Sequence, residues 1–217
     1  MKFISYPQTS QRIAFAFIAA AAAAPALAET ELSFYGGYQT APHSVVTTSD
    51  FGNFTVGWKG KSFSMPPYYG VRAIMWQPSG FGWGVELNHA KVYADQPSNY
   101  GFERMEFTDG LNLVTLNAFQ RYKSKGKITP YIGAGIGIAV PHVDITPNGG
   151  QHTFGYQLTG VAVQWVAGAS LPINDRWKAF AEYKGSYSQH AVKLDGAGTF
   201  NTDIITNALN IGVSYSF

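Results

Sequence analysis

Apolar and polar positions alternate through residues 204–217: Ile205, Leu209, Ile211, Val213, Tyr215 and Phe217 fall on one face, and Ala208, Asn210, Gly212, Ser214 and Ser216 on the other. A period of two marks a strand with unlike faces. The alternation is cleanest over 128–140, where Ile128, Pro130, Ile132, Ala134, Ile136, Ile138 and Val140 interleave with Thr129, Tyr131, Gly133, Gly135, Gly137 and Ala139. A soluble sheet covers its apolar face with a helix or a second sheet, and no amphipathic helical stretch accompanies these strands. Lipid is the covering that remains. A sheet in lipid must close on itself, because every backbone polar group needs a partner inside the protein.

The pattern predicts eight strands over about 31–40, 68–77, 82–93, 111–123, 128–142, 154–172, 176–191 and 203–217. Ser79-Gly80, Ser124-Lys125-Gly126 and Asn174-Asp175 make tight turns, and longer connections span roughly 41–67, 94–110, 143–153 and 194–202. The expected fold is therefore all-β, an eight-stranded antiparallel up-and-down transmembrane barrel, with short periplasmic turns, long extracellular loops and both termini periplasmic. Phe54, Val56 and Trp58 form a further alternation inside the first long connection, which is read as loop.

The opening residues give the same address. Lys2 and Arg12 precede an apolar run from Ile13 to Ala24, and Ala26-Leu27-Ala28 supplies small residues for cleavage, so 1–28 is expected to be a secretory signal peptide and 29–217 the outer-membrane barrel domain. The run is shorter than the roughly 20 residues a spanning helix needs. Cysteine is absent, which excludes disulfides, thiolate chemistry and Cys-ligated metals. A formal net charge of +2 gives no argument for nucleic acid. Aromatics at 15% suit interfacial girdles, with Trp76, Phe81, Trp83, Tyr122, Trp177, Tyr215 and Phe217 expected near the tight turns.

The other strand faces carry Arg72, Glu86, Asn88, Thr115, Asn117, Arg121, Tyr131, Gln164, Glu182, Lys184 and Asn210. Desolvated ions need partners, so Glu86 and Glu182 should meet Arg72, Arg121 or Lys184 in a filled lumen. All five histidines, His43, His89, His142, His152 and His190, fall at the end opposite the tight turns, with Asp50, Asp95, Glu103, Glu106, Asp109, Asp144, Asp195 and Asp203 beside them. Imidazole is the commonest metal ligand, and without an HxxxH or HxH spacing a site would be assembled across strands. Lys59, Lys61, Lys91, Arg104 and Lys193 form a basic rim suited to anionic lipid heads. No GxSxG, P-loop or nucleotide fingerprint is present.

Five segments, 38–44 (YQTAPHS), 84–95 (GVELNHAKVYAD), 107–112 (FTDGLN), 140–143 (VPHV) and 181–185 (AEYKG), resemble the outer-membrane lipid A oxidases of alphaproteobacteria. The resemblance implies oxidation of the proximal glucosamine of lipid A at its anomeric carbon to 2-aminogluconate, with oxygen as acceptor and hydrogen peroxide as product. Such chemistry normally calls for a flavin or a redox metal, and no flavin fold is present. The expectation is a divalent or redox metal at His43, His89 and His142, Lys91 and Arg104 orienting a charged group of the lipid, and Glu106 or Asp109 as base. The partners would be lipid A and outer-membrane lipid, and the barrel a monomer. The rival reading is a non-enzymatic barrel for membrane integrity or adhesion.

Overall fold

The computed structural model describes residues 29–217 apart from Ala197 and the side chain of Thr108, so the expected signal peptide lies outside the described residues. One 13-stranded sheet forms, antiparallel throughout. In chain order its strands are β1 (Glu29–Thr40), β2 (Ser44–Thr48), β3 (Gly52–Val56), β4 (Trp58–Lys59), β5 (Tyr69–Trp76), β6 (Phe81–Ala94), β7 (Phe102–Arg121), β8 (Thr129–Ala139), β9 (His142–Pro147), β10 (Thr153–Tyr156), β11 (Gly160–Pro172), β12 (Trp177–Lys193) and β13 (Thr199–Ser216).

Eight of them close into a ring. Ladder partners starting at Thr30 in β1 lead through Met75, Trp83, Ala118, Ala134, Trp165, Gly185 and Asn207 and return to β1 at Thr40, ten residues further along. That stagger is the signature of a tilted, closed barrel with no free edge. Its faces are inverted relative to a soluble protein: Leu209 and Ile211 are 67% and 73% exposed, while Asn210 between them is 2% exposed. Phe81, Tyr122, Trp177, Tyr215 and Phe217 ring the short-turn end as expected, with Tyr215 packed edge-on between Trp177 and Phe217. Trp76 departs from the expected girdle. It points inward, buried, with the Arg121 guanidinium 4.7 Å from its ring centre.

The middle of the lumen is filled by one ion network, below which a cavity of about 420 Å³ opens toward the short turns between Arg72, Trp76, Phe119 and Tyr122. Arg72 donates from Nε to Glu86 Oε2 at 2.7 Å and from Nη1 and Nη2 to Glu182 at 3.0 and 2.8 Å. Lys184 and Tyr35 hold the other oxygen of Glu86, and Tyr131, Asn210 and Gln164 complete the two carboxylates. Arg121 stands apart from this set. It pairs with Glu29 at 2.7 Å at the short-turn end. Small residues opposite make the room: a Cβ on Gly135 would lie 1.8 Å from Asn117 Oδ1.

The expected long connections are largely strands. β2 and β3 form a hairpin whose first strand pairs with β13, Thr47 opposite Asn201. The expected strand 154–172 is two, β10 and β11, and β9 and β10 pair along an upward continuation of β7. Inward side chains from these extensions, Val46, Val56, Phe102, Met105, Phe107, Val143, Ile145 and Phe200, carry the buried apolar cluster of the lumen up over the barrel. Their runs are short and broken by Pro and Gly, so the period of two is hard to read, and burial of that core is what holds them in the sheet.

His190 sits in this extension, beyond the point where Tyr187, Gln189 and Asp203 end the apolar belt. Its ring is buried between Thr159 and Ser188, both at 2.8 Å, and against Phe107, and burial pushes its pKa down to about 3. The unfolded chain takes up that proton at the ordinary value of 6.5. Stability from this group is therefore complete above pH 6.5 and falls as pH drops from there toward 3. Amide exchange at the tops of β12 and β13 is expected to quicken across that window, and less so in His190→Gln; equal acid sensitivity in the two proteins would refute the assignment.

Candidate functional site on the outer wall

Along β6, Phe81, Trp83, Val85 and Leu87 face outward, and the alternation puts His89 on the same lipid-side wall, at the top of the apolar belt. It is nevertheless only 4% exposed. Tyr69 of β5 stacks on it at 4.9 Å, and a β-bulge in β7 covers it. Ala90 pairs with Leu111 and Val92 with Phe107, so Thr108, Asp109 and Gly110 together face the single residue Lys91. Gly110 makes the bulge possible. Its φ is +96°, and a Cβ there would lie 2.2 Å from the imidazole of His89.

The bulge throws Asp109 toward β9. Its Oδ2 lies 3.9 Å from His142 Nδ1, and His142 is wedged edge-on between Phe154 and Tyr156 at 4.4 and 4.7 Å. The His89 tautomer follows from its neighbour. Asn112 turns its amide nitrogen to the carbonyls of Asp109, Gly110 and Val140, which leaves Oδ1 to accept from His89 Nδ1 at 2.8 Å. His89 Nε2 then carries a lone pair. That atom and His142 Nδ1 are both buried without a hydrogen-bond partner. Two orphaned imidazole nitrogens and a half-exposed carboxylate thus share one outward-facing patch, flanked by the rings of Tyr69, Phe154 and Tyr156.

A second group adjoins it. Arg104 donates to Asp144 at 2.9 Å and lies 3.5 Å from Glu106, while His152 meets the other oxygen of Asp144 at 2.8 Å. Burial raises the Glu106 carboxyl above its ordinary range, opposed by Arg104, Lys61 and Lys91. Lys91 is buried, its ammonium 5.3 Å from the centre of the Tyr93 ring, with Lys61 on the same ring at 4.2 Å.

Six of the seven expected site residues therefore fall in two adjoining groups: His89, His142 and Asp109, then Lys91, Arg104 and Glu106. His43 does not join them. It is exposed in the connection after β1, against Gly57 and beside Asp95. The expected three-histidine set is not assembled, and among the described residues no group of three or more His, Asp or Glu side chains is spaced to hold a metal ion. Tyr69 and Tyr156 belong to the patch and were not singled out from sequence, while Gly110 and Asn112 stood there only as part of the segment 107–112. Asp109-Gly110 carried the readable signal, since this dipeptide inside a strand marks a turn or bulge. Gly110→Ala is expected to leave the barrel folded while displacing His89, seen as a changed His89 side-chain resonance; an unshifted resonance would count against this packing.

A model of the family described as outer membrane protein beta-barrel domain matches residues 13–217. Among solved structures the chain is similar to Neisserial surface protein A, with TM-score 0.50 and 16% identity over 88% of this chain and 97% of that one. It is also similar to the outer membrane protein AlkL in lipid bilayers, with TM-score 0.52 and 13% identity over 100% of this chain and 97% of that one. These likenesses show the fold. No curated protein matches the chain.

Proposed function

Because the chain belongs to the outer membrane protein beta-barrel domain family, we propose that it acts on the lipid it stands in, as an oxidase that converts the proximal glucosamine of lipid A to 2-aminogluconate with oxygen. The observation that carries the reading is the position of His89, Asp109 and His142: they face sideways at the top of the apolar belt, where the sugars of an outer-leaflet glycolipid meet its acyl chains. The resemblance of the His89, Asp109 and His142 segments to lipid A oxidases supports it independently. In this reading the tight turns and both described chain ends are periplasmic, the extension stands outside the cell, and the barrel works as a monomer.

The reaction removes two hydrogens from the anomeric centre. The hydroxyl proton passes to a carboxylate, Asp109 on the open side of the patch or Glu106, whose raised affinity for a proton suits the role. The C–H hydrogen and its electron pair reduce oxygen, which gains the second proton to leave as hydrogen peroxide, and water opens the resulting lactone to the acid. The aromatic rings beside His142 exclude water from one side of the sugar. Arg104, half-exposed and fixed by Asp144, supplies positive charge for an acidic group on the lipid, while Lys91, expected from sequence to share that task, is fully buried. Among the described residues His89, His142 and Asp109 do not form a set spaced to hold a metal ion, and the roles above belong to the side chains themselves.

Mass spectrometry of lipid A from a deletion strain tests the proposal. The species heavier by one oxygen atom should vanish and return on complementation. Its persistence would leave the barrel a non-enzymatic role in membrane integrity or adhesion.

A further inference from the structure

Phe63 and Met65 are 77% and 83% exposed, the highest values among the large apolar side chains of the described residues. They sit on the connection between β4 and β5, outside the ring, and this segment is held in a fixed shape. Ser62 is buried and riveted to β1, its Oγ accepting from Gln39 N at 2.8 Å and donating to Gln39 O at 3.1 Å. Ser64 N donates to Lys61 O at 3.0 Å, and Tyr68 N to Ser62 O at 2.7 Å. Lys61 takes a left-handed conformation, φ 34°, so that the chain turns sharply and aims the next residues outward.

The anchor point fixes the level. Gln39 follows Tyr38, which faces outward at 60% exposure and pairs with Leu209 of the apolar belt. Phe63 and Met65 therefore leave the barrel at the upper margin of the lipid-facing surface and extend that surface sideways. Between this connection and β1 lies an open groove of about 600 Å³, lined by Tyr38, Thr40, Lys59, Lys61 and Phe63. Lys59 is tied to Asp95 at 2.6 Å at its rim, and the Lys61 ammonium rests on the Tyr93 ring. Apolar tips below and cations above are the two halves of an anionic amphiphile's environment, since apolar patches of this kind mark membrane contacts and charge-assisted bonds recognise acidic heads.

We propose that this connection is a leaflet-inserted clamp: Phe63 and Met65 enter the acyl layer, and the groove seats the anionic saccharide head of an outer-leaflet glycolipid against Lys61. The side of the membrane rests on the orientation proposed above. The insertion itself is independent of it and of any catalysis.

The chain has no cysteine, so Phe63→Cys and Met65→Cys each give a single thiol for a nitroxide label, with Asn53→Cys on the β2–β3 hairpin as a solvent-facing control. In phosphatidylcholine vesicles the labels at 63 and 65 should collide with oxygen more than with a water-soluble nickel chelate, and the label at 53 the reverse. Labels at 63 and 65 that behave like the label at 53 would overturn the insertion. For the head-group site, native mass spectrometry of barrels extracted from vesicles containing lipopolysaccharide or phosphatidylglycerol should show lipopolysaccharide retained several-fold more by the wild type than by Lys61→Glu. Equal retention by both proteins, or a phosphatidylglycerol preference in the wild type, would overturn the glycolipid assignment. Neither readout needs turnover, so failure here and absence of oxidase activity are separate results.

Discussion

Arg72→Met is expected to lower the unfolding free energy of the barrel by about 3–5 kcal/mol, the usual cost of stripping one partner from a buried ion set. Arg72 bridges Glu86 and Glu182, with one bond to the first and two to the second, and all three side chains are buried. Its loss leaves Lys184 facing Glu86 and strips the cation from Glu182. Urea titration in lipid vesicles, read by the heat-modifiable gel mobility of folded barrels, measures the effect. A compensating test distinguishes charge from packing. Arg72→Met combined with Glu182→Gln should recover most of the loss, since the Lys184–Glu86 pair stays intact, whereas a failure to recover would assign the cost to shape rather than to unpaired ions.

Asp109→Asn is expected to reduce oxidation of lipid A by about 10²–10⁴-fold, the range associated with removing a positioned proton-transfer group, and His142→Ala to lower it through loss of the imidazole beside that carboxylate. Both side chains lie in the extension, outside the ion network, so folding by gel mobility should be unchanged. His43→Ala is expected to leave the rate unaltered, since its ring lies against Gly57 and away from the patch. Full activity in Asp109→Asn and His142→Ala together would remove the patch from the chemistry.

The barrel was legible in the sequence because lipid imposes the simplest pattern there is. Leu209, Ile211 and Val213 on one face of β13 and Asn210 and Ser214 on the other can satisfy a bilayer and a polar lumen in only one register. The same reasoning found Arg72, Glu86, Glu182 and Lys184, because their charges sit at in-facing positions of clear strands. It placed Arg121 in the wrong partnership, since pairing along the barrel axis depends on stagger and not on alternation. β2, β3 and β9 were read as loop because they are only five or six residues long, and the four residues of β10 were run together with β11. The patch was half legible. Residue type marked His89, Asp109 and His142, but the bulge that joins them arises from ladder pairing between β6 and β7, and His43 shares their chemistry without sharing their wall.

The stopper of ions at mid-height and the apolar lid of Val46, Phe102, Phe107 and Phe200 above close the cylinder over its cavity at the short-turn end. Whatever meets the His89 wall must come edgeways, by drifting in the plane of the leaflet. The quantity governing encounter is then the mole fraction of target lipid in two dimensions, and doubling the aqueous supply without changing that fraction should leave the speed of any reaction there as it was.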